Sequence, residues 1–363
     1  MGSRLRVIKV VPTVGLLLAM VLAMPCFAEQ SASDLLATAE AARASGDLAQ
    51  AKQLLSQIVA SFPQTKEAAK ASWRLGYIAL AEENWSQAEA HFQWVADTHP
   101  SHYKASDSLL RIAYLARKQN RPDALQRFLD VALRYPNTPE AKLARYRAGR
   151  LQGGGSDFAA SVQSFAAVKD DPSANVKLRA EAATLEGMTY LDKFYNTGDE
   201  ADLAKGIAAL QAVQEHFPKD TKGVAWSRFR LGIYYAHEGR GVKDERLRNN
   251  PALGREILQD AIENLPFNYF TWWMRAEVAG SYVAEGLNDQ VAAECESILA
   301  ENPPDSWAQY LMYLLGSAQI GMGRNAEAIA TFDQLMEKYP KSEWSEAAEV
   351  RVKALLEQGG DGR

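Results

Sequence analysis

Residues 73–100 read WRLGYIALAEENWSQAEAHFQWVADTHP, and the spacing within this stretch decides the fold. Leu75-Gly76 sets a large apolar residue beside one with no side chain. Ala88, Phe92 and Val95 then follow at offsets of four and three, which places them on one face of an α-helix. Glu83-Asn84 lies between the two apolar faces as a turn signal. Pro100 closes the block, because its ring clashes with the preceding turn and it lacks an N–H. The stretch predicts helix, short turn, helix, stop. The small residues let the two helices approach, and Phe92 fills the space between them.

The same pattern recurs along the chain. Pro63, Pro100, Pro136, Pro172, Pro218, Pro266, Pro303 and Pro340 are separated by 37, 36, 36, 46, 48, 37 and 37 residues. Twelve residues before these prolines stand Ala51, Ala88, Ala124, Gly206, Gly254, Val291 and Ala328, and eight before stand Leu55, Phe92, Phe128, Leu210, Leu258, Cys295 and Phe332. The block before Pro172 is shifted by one, with Ser161, Phe165 and Val168. The first helices carry Leu75-Gly76, Ile112-Ala113, Ala148-Gly149, Leu231-Gly232, Val278-Ala279 and Leu315-Gly316. Further turn signals are Gly46-Asp47, Gly153-Gly154-Gly155, Gly286 and Gly323. A fixed period of this length is the signature of stacked repeats, each burying its apolar face on its neighbours.

The first 28 residues differ. Arg4, Arg6 and Lys9 precede an uncharged apolar run, Val10 to Ala23, and Cys26-Phe27-Ala28 offers a small-x-small cleavage site before Glu29. This is the layout of a secretory signal peptide, and the run is short for a membrane span, which needs about 20 residues. Pro25 stands where a lipid-attachment motif needs a small residue, which argues against an anchor on Cys26. Loss of this segment removes three positive charges and takes the net charge from −5 to −8. With no basic stripe evident, nucleic acid is not an expected partner. Cys295 then remains alone, so no internal disulfide is expected. It occupies the Phe92/Phe332 slot and reads as a small buried hydrophobe.

The organisation read from these signals is a signal peptide over 1–28, five repeats over 29–218, three over 219–340 with an inserted loop at 239–250, a capping helix at 341–358, and a flexible tail at 359–363. The loop carries Arg240, Lys243, Arg246 and Arg248, and loops inserted in repeat arrays are places where contacts concentrate.

Helix, turn, helix and proline at about 36 residues resembles the tetratricopeptide repeat, best in Leu75-Gly76…Ala88…Phe92…Pro100 and Leu315-Gly316…Gly323…Ala328…Phe332…Pro340. The resemblance implies an all-α, right-handed superhelical solenoid of about eight repeats. The aromatic-Pro pairs in Phe62-Pro63-Gln64-Thr65, Tyr135-Pro136-Asn137-Thr138 and Tyr339-Pro340-Lys341-Ser342 are similar to those of bacterial envelope repeat proteins. Among these are the outer-membrane assembly lipoproteins of the BamD type and the Tol-Pal-associated periplasmic proteins. That resemblance implies a periplasmic adaptor.

In such repeats the first helices line the concave wall. Here that wall is expected to carry Trp73, Tyr77, Tyr114, Tyr146, Trp226, Phe229, Trp273, Tyr310 and Tyr313, with the densest aromatic run at Phe267 to Met274. Aromatic residues are enriched at binding hot spots. Repeats that grip acidic C-terminal tails place lysines and asparagines where Trp73 and Tyr77 stand, so an apolar or extended peptide, or a helix, is the expected ligand. No catalytic constellation is evident. The histidines form no zinc motif, Gly153-Gly154-Gly155 lacks the Lys-Ser/Thr of a phosphate loop, and no metal or cofactor is expected. A non-catalytic protein-binding scaffold is therefore the leading reading. A permanent subunit of an envelope machine and a glycan-binding envelope protein are the alternatives.

Overall fold

The computed structural model describes residues 30–219, 221–238, 241–265 and 270–360. The expected signal segment, Arg240, Asp220 and the stretch Pro266 to Tyr269 lie outside them. Among the described residues there are seventeen α-helices and one π-helical turn, and no strand. The fold is an all-α helical repeat. The chain forms two compact units, one up to Ser108 and one from Leu109.

The first unit holds α1 (Ala32–Ala44), α2 (Leu48–Ser61), α3 (Lys66–Ala81) and α4 (Trp85–Thr98), together with the first turn of α5 (Ala105–Lys118). Its core joins Leu35, Leu36 and Ala39 of α1 to Leu55 and Ile58 of α2 and to Leu75 and Ile78 of α3. The second unit continues with α6 (Ala124–Arg134), α7 (Pro139–Gly154), α8 (Phe158–Lys169), α9 (Val176–Thr197), α10 (Glu200–His216) and α11 (Lys222–Ile233). The π turn Tyr234–Glu238 extends α11 directly. After it come α12 (Pro251–Asn264), α13 (Thr271–Val283), α14 (Asn288–Ala300), α15 (Asp305–Gly321), α16 (Asn325–Lys338) and α17 (Glu343–Gly360). The last of these packs on α15 and α16 in the place of the expected cap, and it runs through Gly360.

Several helix pairs are closed by a large apolar residue of the second helix resting on a glycine of the first. The Phe92 ring lies over Gly76, where an added Cβ would be 2.7 Å from Cε1. Phe165 covers Gly149, Phe332 covers Gly316, and leucines do the same in the stretched blocks, Leu210 over Gly187 and Leu258 over Gly232. Cys295 fills this slot in its own repeat and is fully buried.

The aromatic-Pro-x-Thr motif also has a physical basis. The N–H of Phe62 bonds to Ile58 O and ends α2, while Phe62 O accepts both the N–H and the hydroxyl of Thr65. The Thr65 hydroxyl oxygen in turn accepts from Ala68 N and caps α3. Tyr135 and Thr138 repeat the arrangement between α6 and α7. The aromatic residue is thus the C-cap, the threonine is the next N-cap, and the proline sits between, where no N–H is needed.

The turn inside each pair needs one residue in the left-handed region. Gly46, Gly286 and Gly323 supply it with φ of 87°, 71° and 74°. In the fourth repeat the triple glycine does not. There α7 runs on through Gly154 and Ser156 takes φ 64°.

Consecutive first helices touch one another, as in α7 with α9, α9 with α11, α13 with α15, and α15 with α17. On the other side, α6 and α8 are separated by an open groove of about 610 Å³ that includes Leu129 and Leu133. Within the second unit, the first helices therefore form the tighter wall.

Candidate partner-binding surface

Many aromatic side chains expected to face a partner are tied down. In the first unit the Trp73 indole N–H donates to Asp107 Oδ2 at 2.6 Å, and the Tyr77 hydroxyl donates to the same oxygen at 3.2 Å. Lys104 Nζ stands 3.9 Å from the centre of the Trp73 ring. In the second unit Tyr146 OH donates to Glu181 Oε2 at 2.9 Å, and Arg147 Nε donates to Tyr114 OH at 3.1 Å. Each bond spans roughly one repeat. Together they fasten one first helix to the next.

Tyr146 and Phe229 are corrected by this geometry. They are only 4% and 3% exposed. Tyr146 lies edge-on to Phe165 of the partner helix α8, and Phe229 stacks parallel on Phe270 at 5.2 Å. Both side chains point between helices and not out of the wall. Burial, and then the Glu181 charge, push the Tyr146 phenol up to about 12.

The C-terminal first helices differ. Trp226 of α11 stacks on Phe270 at 6.4 Å, Trp273 of α13 lies 4.5 Å from Phe229 and 6.4 Å from Phe270, and Trp307 of α15 lies 5.9 Å from Trp273. Further along, Trp344 of α17 meets Tyr310 at 5.0 Å and Tyr313 at 5.3 Å. Trp273 is 41% exposed, and Trp226, Trp307, Tyr310 and Tyr313 are half-buried. The Trp273 indole N–H donates to Glu277 Oε1 at 3.0 Å, within its own helix, and so fixes the ring while leaving its surface open. The other Glu277 oxygen is 3.1 Å from His237 Nε2. Trp307 and Trp344 were not expected as site residues. Of the dense run at 267–274, Phe270 and Met274 are buried, Trp272 lies under Arg275, and only Trp273 opens outward among the described residues.

The inserted loop is packed against the array. Val242 is buried, and the N–H groups of Lys243 and Asp244 donate to the two oxygens of Glu200 at 2.7 and 3.2 Å. Arg246 pairs with Asp244 of the same loop, and Arg248 Nε donates to Val242 O. The two arginines therefore hold the loop's own shape, and the Lys243 side chain is exposed. Arg230 Nη1 donates to both carboxylate oxygens of Glu238, at 2.8 and 2.9 Å, and the Tyr195 hydroxyl donates to the same carboxylate.

His99 and His102 turn to separate partners, Pro63 O and Lys104 N. Among the described residues no group of three or more His, Cys, Asp or Glu side chains is arranged to hold a metal ion. Burial pushes the Cys295 thiol up to about 12, far from a nucleophile's range. No helix among the described residues is long and apolar enough to cross a membrane.

Family models described as tetratricopeptide repeat match residues 36–102, 107–138 and 310–342. The chain therefore contains tetratricopeptide repeats, a repeat class that generally serves protein–protein interaction without catalysis. The matched stretches leave out the two stretched blocks. Among solved structures, a tetratricopeptide repeat protein from Parabacteroides merdae is 13% identical, with a TM-score of 0.48, covering 80% of this chain and 99% of that one. The P58(IPK) TPR domain is 16% identical, with a TM-score of 0.28, covering 90% and 99%. No curated protein matches the chain.

Proposed function

We propose that this chain is an exported, non-catalytic scaffold that holds a protein partner of a bacterial envelope complex on the aromatic surface of α11, α13 and α15. One observation carries the reading. Trp273 is held rigid by Glu277 and by neighbouring rings, yet stays 41% exposed. Rigid, half-open aromatic anchors give a partner large contact area at little entropic cost. Tyr310 and Tyr313 extend the same surface.

The test is a photo-reactive benzoylphenylalanine placed at Trp307 and, as control, at exposed Val350 of α17. A cross-linked protein is expected at the first position and not at the second. Trp273→Ala with Trp307→Ala should lower affinity for that protein about thirtyfold or more, since a single hot-spot aromatic carries about 2 kcal/mol or more. Equal cross-linking at both positions would remove the reading.

Export is supported by the charged start, the apolar run and Ala28/Glu29. In a bacterial host the mature chain should be recovered from the periplasm with Glu29 as its first residue. A protein found in the cytoplasm with its leader intact would contradict this part.

A further inference from the structure

The chain-wide charge balance conceals a strongly basic stretch. Between Leu109 and Gly155 there are ten Lys and Arg against three Asp and Glu, while the rest of the chain carries 30 against 42. Seven of these ten cations lie on α5 and α7, where the only acid of the stretch is Glu140. We propose that the face these two helices share is a second docking surface, and that it receives the side-chain carboxylates of an acidic protein segment.

Three features support it. An open groove of about 630 Å³ is lined by Tyr114, Arg117, Lys118, Leu151 and Arg121, the last of which is paired with Asp123 at 2.7 Å. Arg117 and, beside Leu151, Arg150 are exposed and pair with no carboxylate among the described residues. Arg147 is positioned without being neutralised: its guanidinium lies 5.5 Å from the centre of the Tyr114 ring and 5.6 Å from that of Tyr146, and its Nε donates to the Tyr114 hydroxyl. The polar tip of Tyr114 thus serves to aim a cation.

The surroundings select the ligand. Guanidinium groups match carboxylates in planar, two-toothed pairs. The rest of the chain carries a net negative balance, 30 against 42, so it offers a long polyanion no further attraction, and charges beyond about 8 Å gain little at physiological ionic strength. A short acidic segment, ending where the positive field ends, suits the patch better than a nucleic acid. The residues are separate from the Trp273 surface, so this proposal stands or falls on its own.

The test measures fluorescence anisotropy of a labelled, C-terminally amidated Glu-rich peptide with the full chain, beside a Gln analogue of equal length. The Glu peptide should bind, weaken steeply with added salt, and outcompete the Gln peptide. Arg117→Glu with Arg150→Glu should weaken it roughly tenfold with unchanged helicity and melting, while Arg351→Glu on α17 should not. Should the double reversal unfold the chain, Arg117→Gln with Arg150→Gln is read in its place, with a loss of roughly threefold expected. The proposal is overturned by any of three results. These are equal binding of the Gln peptide, unaltered binding by the double variants, and tighter arginine-dependent binding of duplex DNA or anionic vesicles than of the Glu peptide.

Discussion

Phe332→Ala is expected to cost about 4 kcal/mol and to unfold the last repeat and its cap ahead of the rest of the chain. The Phe332 side chain is fully buried. It rests on Gly316, so close that a Cβ there would lie 2.5 Å from the ring. Met312, Ala328, Leu335 and Ala348 close around it, and α17 covers the site through Trp344 and Val352. Truncation removes the ring and leaves a hole whose opposite wall is a glycine, which has nothing to move in. In a repeat array each unit leans only on its neighbours, so the damage should stay local. Hydrogen exchange should show α15 to α17 opening early, while α7 to α9 keep their protection. Phe332→Leu should recover most of the loss, because Leu55, Leu210 and Leu258 fill the same slot in other repeats. A loss below about 1 kcal/mol would mean that this contact does not organise the repeat.

Gly254→Ala is expected to be almost as damaging, by about 3 kcal/mol, through the opposite cause. A Cβ at this position would lie 2.5 Å from Ala236 N and 2.7 Å from Gly232 O. Both are backbone atoms, so no side chain can swing aside. Helix α12 must retreat from α11 and the π turn, and that strips packing from Leu258 and Ala261. The control is Gly154→Ala at the end of α7, where nothing lies within 4 Å of an added Cβ. That change should be neutral or slightly stabilising. Denaturant unfolding followed by circular dichroism separates the two. Similar midpoints for the two variants would show that α12 yields freely.

The repeat was legible because its determinants are local. Gly76 with Phe92, Gly316 with Phe332, and the Thr65 and Thr138 caps all act within one repeat, and their spacing is fixed by helix geometry. Cys295 was legible for the same reason, since its slot is defined by the residues around it. The surface was less so. Whether an aromatic residue is open or tied depends on an acid about one repeat away, as with Trp73 and Asp107 or Tyr146 and Glu181, and no local pattern encodes that distance. Trp307 escaped notice because it lies a turn before Tyr310, where its ring reaches back to Trp273 of the preceding repeat. The basic stretch escaped because a net charge averages over the whole chain.

The π turn Tyr234–Glu238 has a consequence for the array as a mechanical object. One additional residue in a helical turn rotates the remainder of that helix by roughly 100°. That rotation brings Glu238 back onto Arg230 of the same helix and sends His237 toward Glu277 of the next repeat. The turn therefore works as a phase shifter. The block that carries the inserted loop changes its angular setting there, between repeats that keep the ordinary one. Rules for which face a residue occupies restart after Ile233, and a single-residue deletion in the turn would re-aim the loop while leaving the rhythm of the other repeats intact.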